Sequence, residues 1–282
     1  MFRKTMSVAA ALTAMLVVEI NCGAAPKVSE SGNKHNLSSG NNAVGITYKA
    51  TNASVDPRGN QICIFCHTPH NASPQTVLWN RVDPQGGPFG HYSSSSLQIQ
   101  IDSSAKSLSD YPDEPNGSSR LCLSCHDGVT ALGNVLSYGG KIEVNGSLDT
   151  VMQGTHVFDR NKITNAHHPV SFKYNADVVA RLKILENASG YDYWLPSDAP
   201  SQETPSTPGT NKARDVVRLD RDGRMQCATC HDPHQTHFED TVNDPPLTPF
   251  WVFDGTVLTA PLTAAKVHDE VCWACHNFNV GP

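Results

Sequence analysis

Beyond its N-terminus the chain has no long hydrophobic run. That excludes a membrane-embedded quinol oxidase, whose spans need about 20 consecutive apolar residues. A basic balance is also missing. The 21 Lys and Arg face 27 Asp and Glu, for a net charge of −6. Nucleic acid is thereby excluded as a partner, because phosphate binding needs a basic face. Apolar residues are scarce at 38%, with 7% aromatic, while Gly, Pro, Ser and Asn are plentiful. Side chains of that composition struggle to build a conventional core. Methionine is rare as well, with Met152 and Met225 the last two in the chain.

The one apolar run stands at the start. Arg3 and Lys4 precede residues 6–18, and Cys22, Gly23, Ala24 and Ala25 follow. This pattern predicts a secretory signal peptide over 1–24, cleaved after Ala24 and too short to span a bilayer. A lipoprotein anchor at Cys22 is the alternative, which Glu19 and Asn21 fit poorly. Cleavage removes Cys22 and leaves eight cysteines in residues 25–282.

Those eight occur in one repeated pattern. It reads CIFCH at 63–67, CLSCH at 122–126, CATCH at 227–231 and CWACH at 272–276. C-x-x-C-H is the attachment signature of c-type haem. Cysteines three apart share one face of a helical turn. Cys63 and Cys66, Cys122 and Cys125, Cys227 and Cys230, and Cys272 and Cys275 can each form two thioethers to one porphyrin. His67, His126, His231 and His276 then reach the iron as proximal ligands. Two all-cysteine zinc sites would use the cysteines but leave each following histidine unexplained. A thioredoxin-type dithiol lacks its βαβ context. Four covalently attached haems would supply the apolar interior that the side chains do not. The expected fold is therefore a multihaem cytochrome c. It should be mostly coil with a few short helices and minimal strand, packed around its haems.

C-x-x-C-H-x-P-H followed by plain C-x-x-C-H occurs twice, so the repeat unit is a haem pair, 63–126 and then 227–276. The polar residues 26–61 suggest an extended arm. Residues 129–136 suggest a short helix after the second motif, and 141–144 a strand. Residues 177–186 read as an amphipathic helix capped by Asp177, with Val178, Val179, Leu182 and Leu185 inward. Asp222-Gly223 would turn a hairpin between 216–219 and 224–226. Residues 196–212, rich in Pro, Ser and Thr, read as an exposed loop.

What fills each iron's sixth position decides function. Two methionines cannot serve four irons, whereas nine histidines remain besides the proximal four. His70 and His234 follow a proximal histidine by three residues. Neither can turn back onto its own iron, so as ligands they bind other irons and draw haems together. Hydrogen bonding to a propionate is their alternative role. His168 precedes the rigid Pro169 and competes with its neighbour His167. His35 stands alone in the polar arm. His91, His156, His237 and His268 read as surface or propionate-contacting groups. Six N-x-S sequons, at Asn36, Asn52, Asn71, Asn116, Asn145 and Asn187, could accept glycans, though about three would arise by chance in so Ser- and Asn-rich a chain.

The arrangement resembles the OmcE-type tetrahaem extracellular nanowire cytochromes. The matching stretches are Lys34-His35-Asn36-Leu37-Ser38, CIFCHTPH with Leu78-Trp79-Asn80, LCLSCHDG at 121–128, HPVSF at 168–172, CATCHDPH and the terminal CWACH. The resemblance implies bis-histidine haems stacked in a line within a mostly coil fold, with His35, His70, His168 and His234 as distal ligands. It further implies polymerisation of copies into an extracellular filament that carries electrons to external acceptors, without catalysis. A monomeric periplasmic carrier and a reductase with one open haem are the alternatives.

Overall fold

The computed structural model describes residues 28–29, 32–51, 56–73, 78–87, 89, 92–99, 115–137, 139–158, 168–185, 192–199, 216–234, 250, 252 and 271–277. The signal-peptide segment, most of 196–212, His91, His167, His237 and His268 lie outside them. Among the described residues regular structure is sparse, and coil and turns predominate. We name three helices, α1 Gly117–His126, α2 Ala176–Leu185 and the single turn α3 Cys227–Cys230. Short 3₁₀ turns occur at Pro57–Asn60, Cys63–Phe65, Gly154–His156 and Pro196–Asp198. Strands β1, Asp192–Tyr193, and β2, His276–Asn277, pair antiparallel. No described helix is long and apolar enough to cross a membrane.

Two apolar clusters organise the chain. Leu37, Ala50, Ile64, Phe65, Leu132, Val135, Ile142 and Val144 form the first, with Cys66 and Cys125 against it. Ile99, Phe172, Tyr174, Val178, Val179, Met225 and Cys275 form the second. Cys66, Cys125 and Cys275 thus bring one cysteine of the first, second and fourth motifs to the apolar interior.

The expected polar arm is packed instead. Asn33, Asn36, Ser38 and Asn41 are all buried. Asn41 Nδ2 donates to the carbonyls of Asn33 at 3.0 Å and Asn36 at 2.9 Å, and Ser38 Oγ donates to Asn36 Oδ1 at 2.7 Å. Short polar side chains satisfy the backbone here without a helix or strand. Leu37 and Ala50 are thereby delivered to the first cluster.

Other local expectations also shift. Residues 129–136 form turns, because Arg81 and Asn80 take up carbonyls and amides that a helix would use. Val144 makes isolated bridges to Ala50 and Ser147 rather than a strand. The helix near 177 begins at Ala176, and Asn175 Oδ1 caps it by accepting from Val178 N at 3.0 Å. Val178 and Val179 face inward, while Leu185 at the last turn is exposed. The turn at 220–223 forms, yet Arg224–Gln226 pairs chiefly with 171–174: Lys173 bridges Arg224 and Met225 N donates to Phe172 O at 3.0 Å.

Gly133 marks the closest backbone approach. A Cβ there would stand 1.7 Å from Ile142 O, where Ile142 N donates to Gly133 O at 2.8 Å. Gly133→Ala should therefore cost about 3 kcal/mol by forcing two backbones apart. Gly40→Ala, whose Cβ meets nothing nearer than 3.4 Å, should stay within about 0.5 kcal/mol of wild type. Urea unfolding followed by circular dichroism checks both.

Candidate metal centres

The motifs form short helical segments or close a helix, which brings cysteines three apart onto one face. In the first motif Cys66 N and His67 N both donate to Cys63 O, at 3.1 and 2.7 Å. In the third, Gln226 caps the turn reciprocally with Thr229. The second motif closes the longer helix α1. The fourth is held by Trp194 N donating to Cys275 O at 2.9 Å and Trp194 Nε1 donating to Trp273 O at 2.8 Å.

The repeat extends beyond the motifs. After the first, Thr68 N donates to Leu78 O at 2.8 Å and Asn80 N to Cys66 O at 2.9 Å. After the third, Asp232 N donates to Phe250 O at 2.7 Å and Val252 N to Cys230 O at 2.8 Å. Leu78 and Phe250 adopt left-handed φ of 68° and 70°, a strain that persists only where surroundings enforce it. The backbone at Leu78–Asn80 is thus matched by that at Phe250 and Val252, as equivalent strap segments. Their unequal distances from His67 and His231 hide the equivalence in the sequence.

The motifs neighbour one another in chain order. Cys66 lies within electrostatic reach of Cys125, Cys122 contacts Cys227, and Cys230 stands near Cys272 and Cys275. Gln226 joins the middle two. Its Oε1 accepts from Ser119 Oγ at 2.6 Å and Ser171 Oγ at 3.1 Å, and its Nε2 donates to Asn116 Oδ1 at 3.2 Å. Cys227 N donates to Ser119 Oγ at 3.0 Å. Gly117, at φ +54°, leaves room for the amide: a Cβ would stand 2.8 Å from Gln226 Nε2. The eight cysteines form no disulfide. Burial pushes the thiols of Cys66, Cys230 and Cys275 up to about 12.

Two proximal histidines face a second imidazole, and a third has one within electrostatic reach. The rings of His67 and His234 are 6.0 Å apart and nearly parallel, at 13°. Those of His126 and His35 are 6.3 Å apart. His168 acts electrostatically on His276. Two imidazoles bound to one metal from opposite sides, with bonds of about 2.0 Å, hold their ring centres about 6.2 Å apart. Both measured spacings fit an intervening iron and are too long for a hydrogen bond.

Protonation fits too. Burial, and then His126, lowers His35 to about 3. Burial, and then His168, lowers His276 to about 4. Burial likewise lowers His126, and burial followed by His234 lowers His67. Neutral imidazole is the ligating form. His126 Nδ1 donates to His156 O at 2.8 Å and His168 Nδ1 to Pro169 O at 3.0 Å. His234 Nδ1 donates to Asp232 Oδ1 at 2.9 Å. Each bond leaves the Nε2 lone pair for a metal. His35 Nδ1 is buried without a hydrogen-bond partner among the described residues, and Phe250 packs on its ring at 4.3 Å.

The remaining candidates are placed differently. His70 is exposed, with its carbonyl accepting from Thr68 Oγ1 at 2.7 Å, and no ring contact reaches it among the described residues. His231 lies within electrostatic reach of His35. His156 contributes its carbonyl to His126, a role no local sequence signal announces. Among the described residues no three His, Cys, Asp or Glu side chains converge on one bare ion. A bis-histidine haem asks only two such groups of the protein, since the porphyrin supplies the rest. Searches against family models and curated proteins find no match.

Asp127, just after His126, anchors this region. Its carboxylate accepts from Gln85 N, Gly86 N, Val129 N, Thr130 N and Thr130 Oγ1. Burial works to raise its pKa, but the bonds from Thr130, Val129 and Gly86 outweigh it and leave the carboxyl below its ordinary value. The unfolded chain then binds that proton more readily. The stabilisation is complete above about pH 4 and drains away as pH falls through the folded value. Asp127→Asn should be less stable than wild type at pH 7, with the gap closing in acid. Urea midpoints across pH 2–7 (about 2 to 7, spanning the carboxylate range) test this.

Proposed function

We propose that the chain is an exported tetrahaem c-type cytochrome that passes electrons along closely packed haems. The observation carrying the proposal is the joint geometry of cysteines and imidazoles: four C-x-x-C-H turns adjoin in chain order, and two measured imidazole pairs sit at the separation an iron requires. Haem, when bound, supplies reversible one-electron chemistry at iron. The chain's own residues attach, orient and cover it. The eight motif cysteines would hold the macrocycles. His67 with His234, His126 with His35, and His276 with His168 would supply opposed ligands. Exchange symmetry between the repeats assigns His70 to the centre of His231, as His234 serves that of His67. Imidazole on both faces favours low-spin iron at potentials below those of His/Met centres.

The filament reading, in which copies of this chain polymerise outside the cell and deliver electrons to external acceptors, rests on the resemblance to nanowire cytochromes. A monomeric periplasmic carrier would use the same centres. The secreted protein should carry four covalently bound haems by mass spectrometry and a fully low-spin oxidised spectrum. His234→Ala should keep all four, since the thioethers remain, but turn one iron high-spin. Fewer than four haems, or zinc in place of iron, would overturn the assignment. Electron microscopy should show ordered fibres; haem-loaded protein that stays monodisperse would favour the monomeric carrier.

A further inference from the structure

Arg81 is among the largest side chains with no solvent exposure at all. Its guanidinium lies between the first two attachment turns. Nε donates to Ser124 O and Ser124 Oγ, both at 3.2 Å. Nη1 donates to Leu132 O at 2.6 Å and Phe65 O at 3.4 Å. Nη2 donates to Ser124 O at 2.8 Å and Ala131 O at 2.9 Å. Phe65 and Ser124 are equivalent, each immediately preceding the second cysteine of its motif. One side chain therefore ties the same point of both turns.

Every acceptor is neutral. Among the described residues no carboxylate pairs with Arg81, whereas nearby Arg120 pairs with Asp83. A buried cation without a counter-ion is costly, and neutral donors could bond carbonyls equally well. Guanidinium has five N–H donors, and all five have acceptors here. None is left to hydrogen-bond a haem propionate.

We propose that Arg81 is a positioning residue whose fixed positive charge raises the reduction potential of the centre at Cys63–His67 and, less strongly, that at Cys122–His126. This rests on the tetrahaem reading. A nearby cation stabilises the reduced iron, which carries one less positive charge. The two centres are unequal because the Asp127 carboxylate, held by the amides of Val129 and Thr130, directly follows His126 and opposes Arg81 at the second centre. Electrons would rest preferentially at this end of the series.

The test is a spectroelectrochemical titration of secreted, haem-loaded protein. Arg81→Met should move one or two of the four reduction steps to lower potential and leave the others in place. Arg81→Lys loses the fork of hydrogen bonds, and so should lose thermal stability comparably, yet keep potentials near wild type. Ser124→Asp sets a carboxylate beside the guanidinium and should lower the same steps while the protein stays folded, so it decides the matter if Arg81→Met does not fold. Equal shifts in the Lys and Met variants would assign Arg81 a purely structural role and overturn the proposal. So would four unmoved steps in Ser124→Asp with all four haems present. Wild-type protein without covalent haem would instead overturn the functional reading, and this inference with it, before any titration begins.

Discussion

The fold depends on hydrogen bonds from polar side chains to the backbone. A helix or sheet pairs its own amides and carbonyls, but little of this chain is helix or sheet. Buried backbone groups must still find partners. Arg81, Asn41, Asn80, Asp127 and Gln226 supply them from side chains that are themselves buried. Asn80 Nδ2 donates to Ile64 O at 2.5 Å while its Oδ1 accepts from Ser137 N at 2.9 Å. Removing such a group leaves several buried partners unsatisfied at once, at about 1–3 kcal/mol each.

Where these groups act has consequences for the candidate metal centres. Arg81 joins motifs one and two, and Gln226 joins two and three. Tyr174 Oη donates to the carbonyls of Trp194 at 3.1 Å and Cys275 at 3.4 Å, holding motif four to the second cluster. The polar framework thus packs the attachment turns against each other instead of spacing them. Close packing of the motifs, two of them with a second imidazole opposite the motif histidine, is the arrangement that electron passage along the proposed haems would need.

The repeat was legible in part. Cys63, Cys66, His67 and His70 match Cys227, Cys230, His231 and His234 letter by letter, as the covalent attachment and iron ligation proposed for them would demand. The equivalence of the strap segments at Leu78 and Phe250 is not legible in the sequence. Backbone hydrogen bonds and a left-handed φ define them, and loops of different length connect them to their motifs. Residues 26–61 misled for a related reason: Asn, Ser and Gly suit a solvated arm and a tight buried turn equally well. The cap of α2 lay two residues before the expected Asp177, at Asn175, since either side chain can accept from a first-turn amide.

Composition and motif spacing by themselves determined the chemistry on offer. They specify four C-x-x-C-H turns, a surplus of histidine over methionine and too few apolar side chains for an ordinary interior. Those properties are local, written in neighbouring residues. Only the tertiary structure decided which imidazole faces which, that His35 meets His126 and His234 meets His67, and that a lone guanidinium lies between two attachment turns. Such pairings join residues far apart in the chain, and they arise from which buried carbonyls and apolar faces happen to be satisfied together. No window of sequence contains that information.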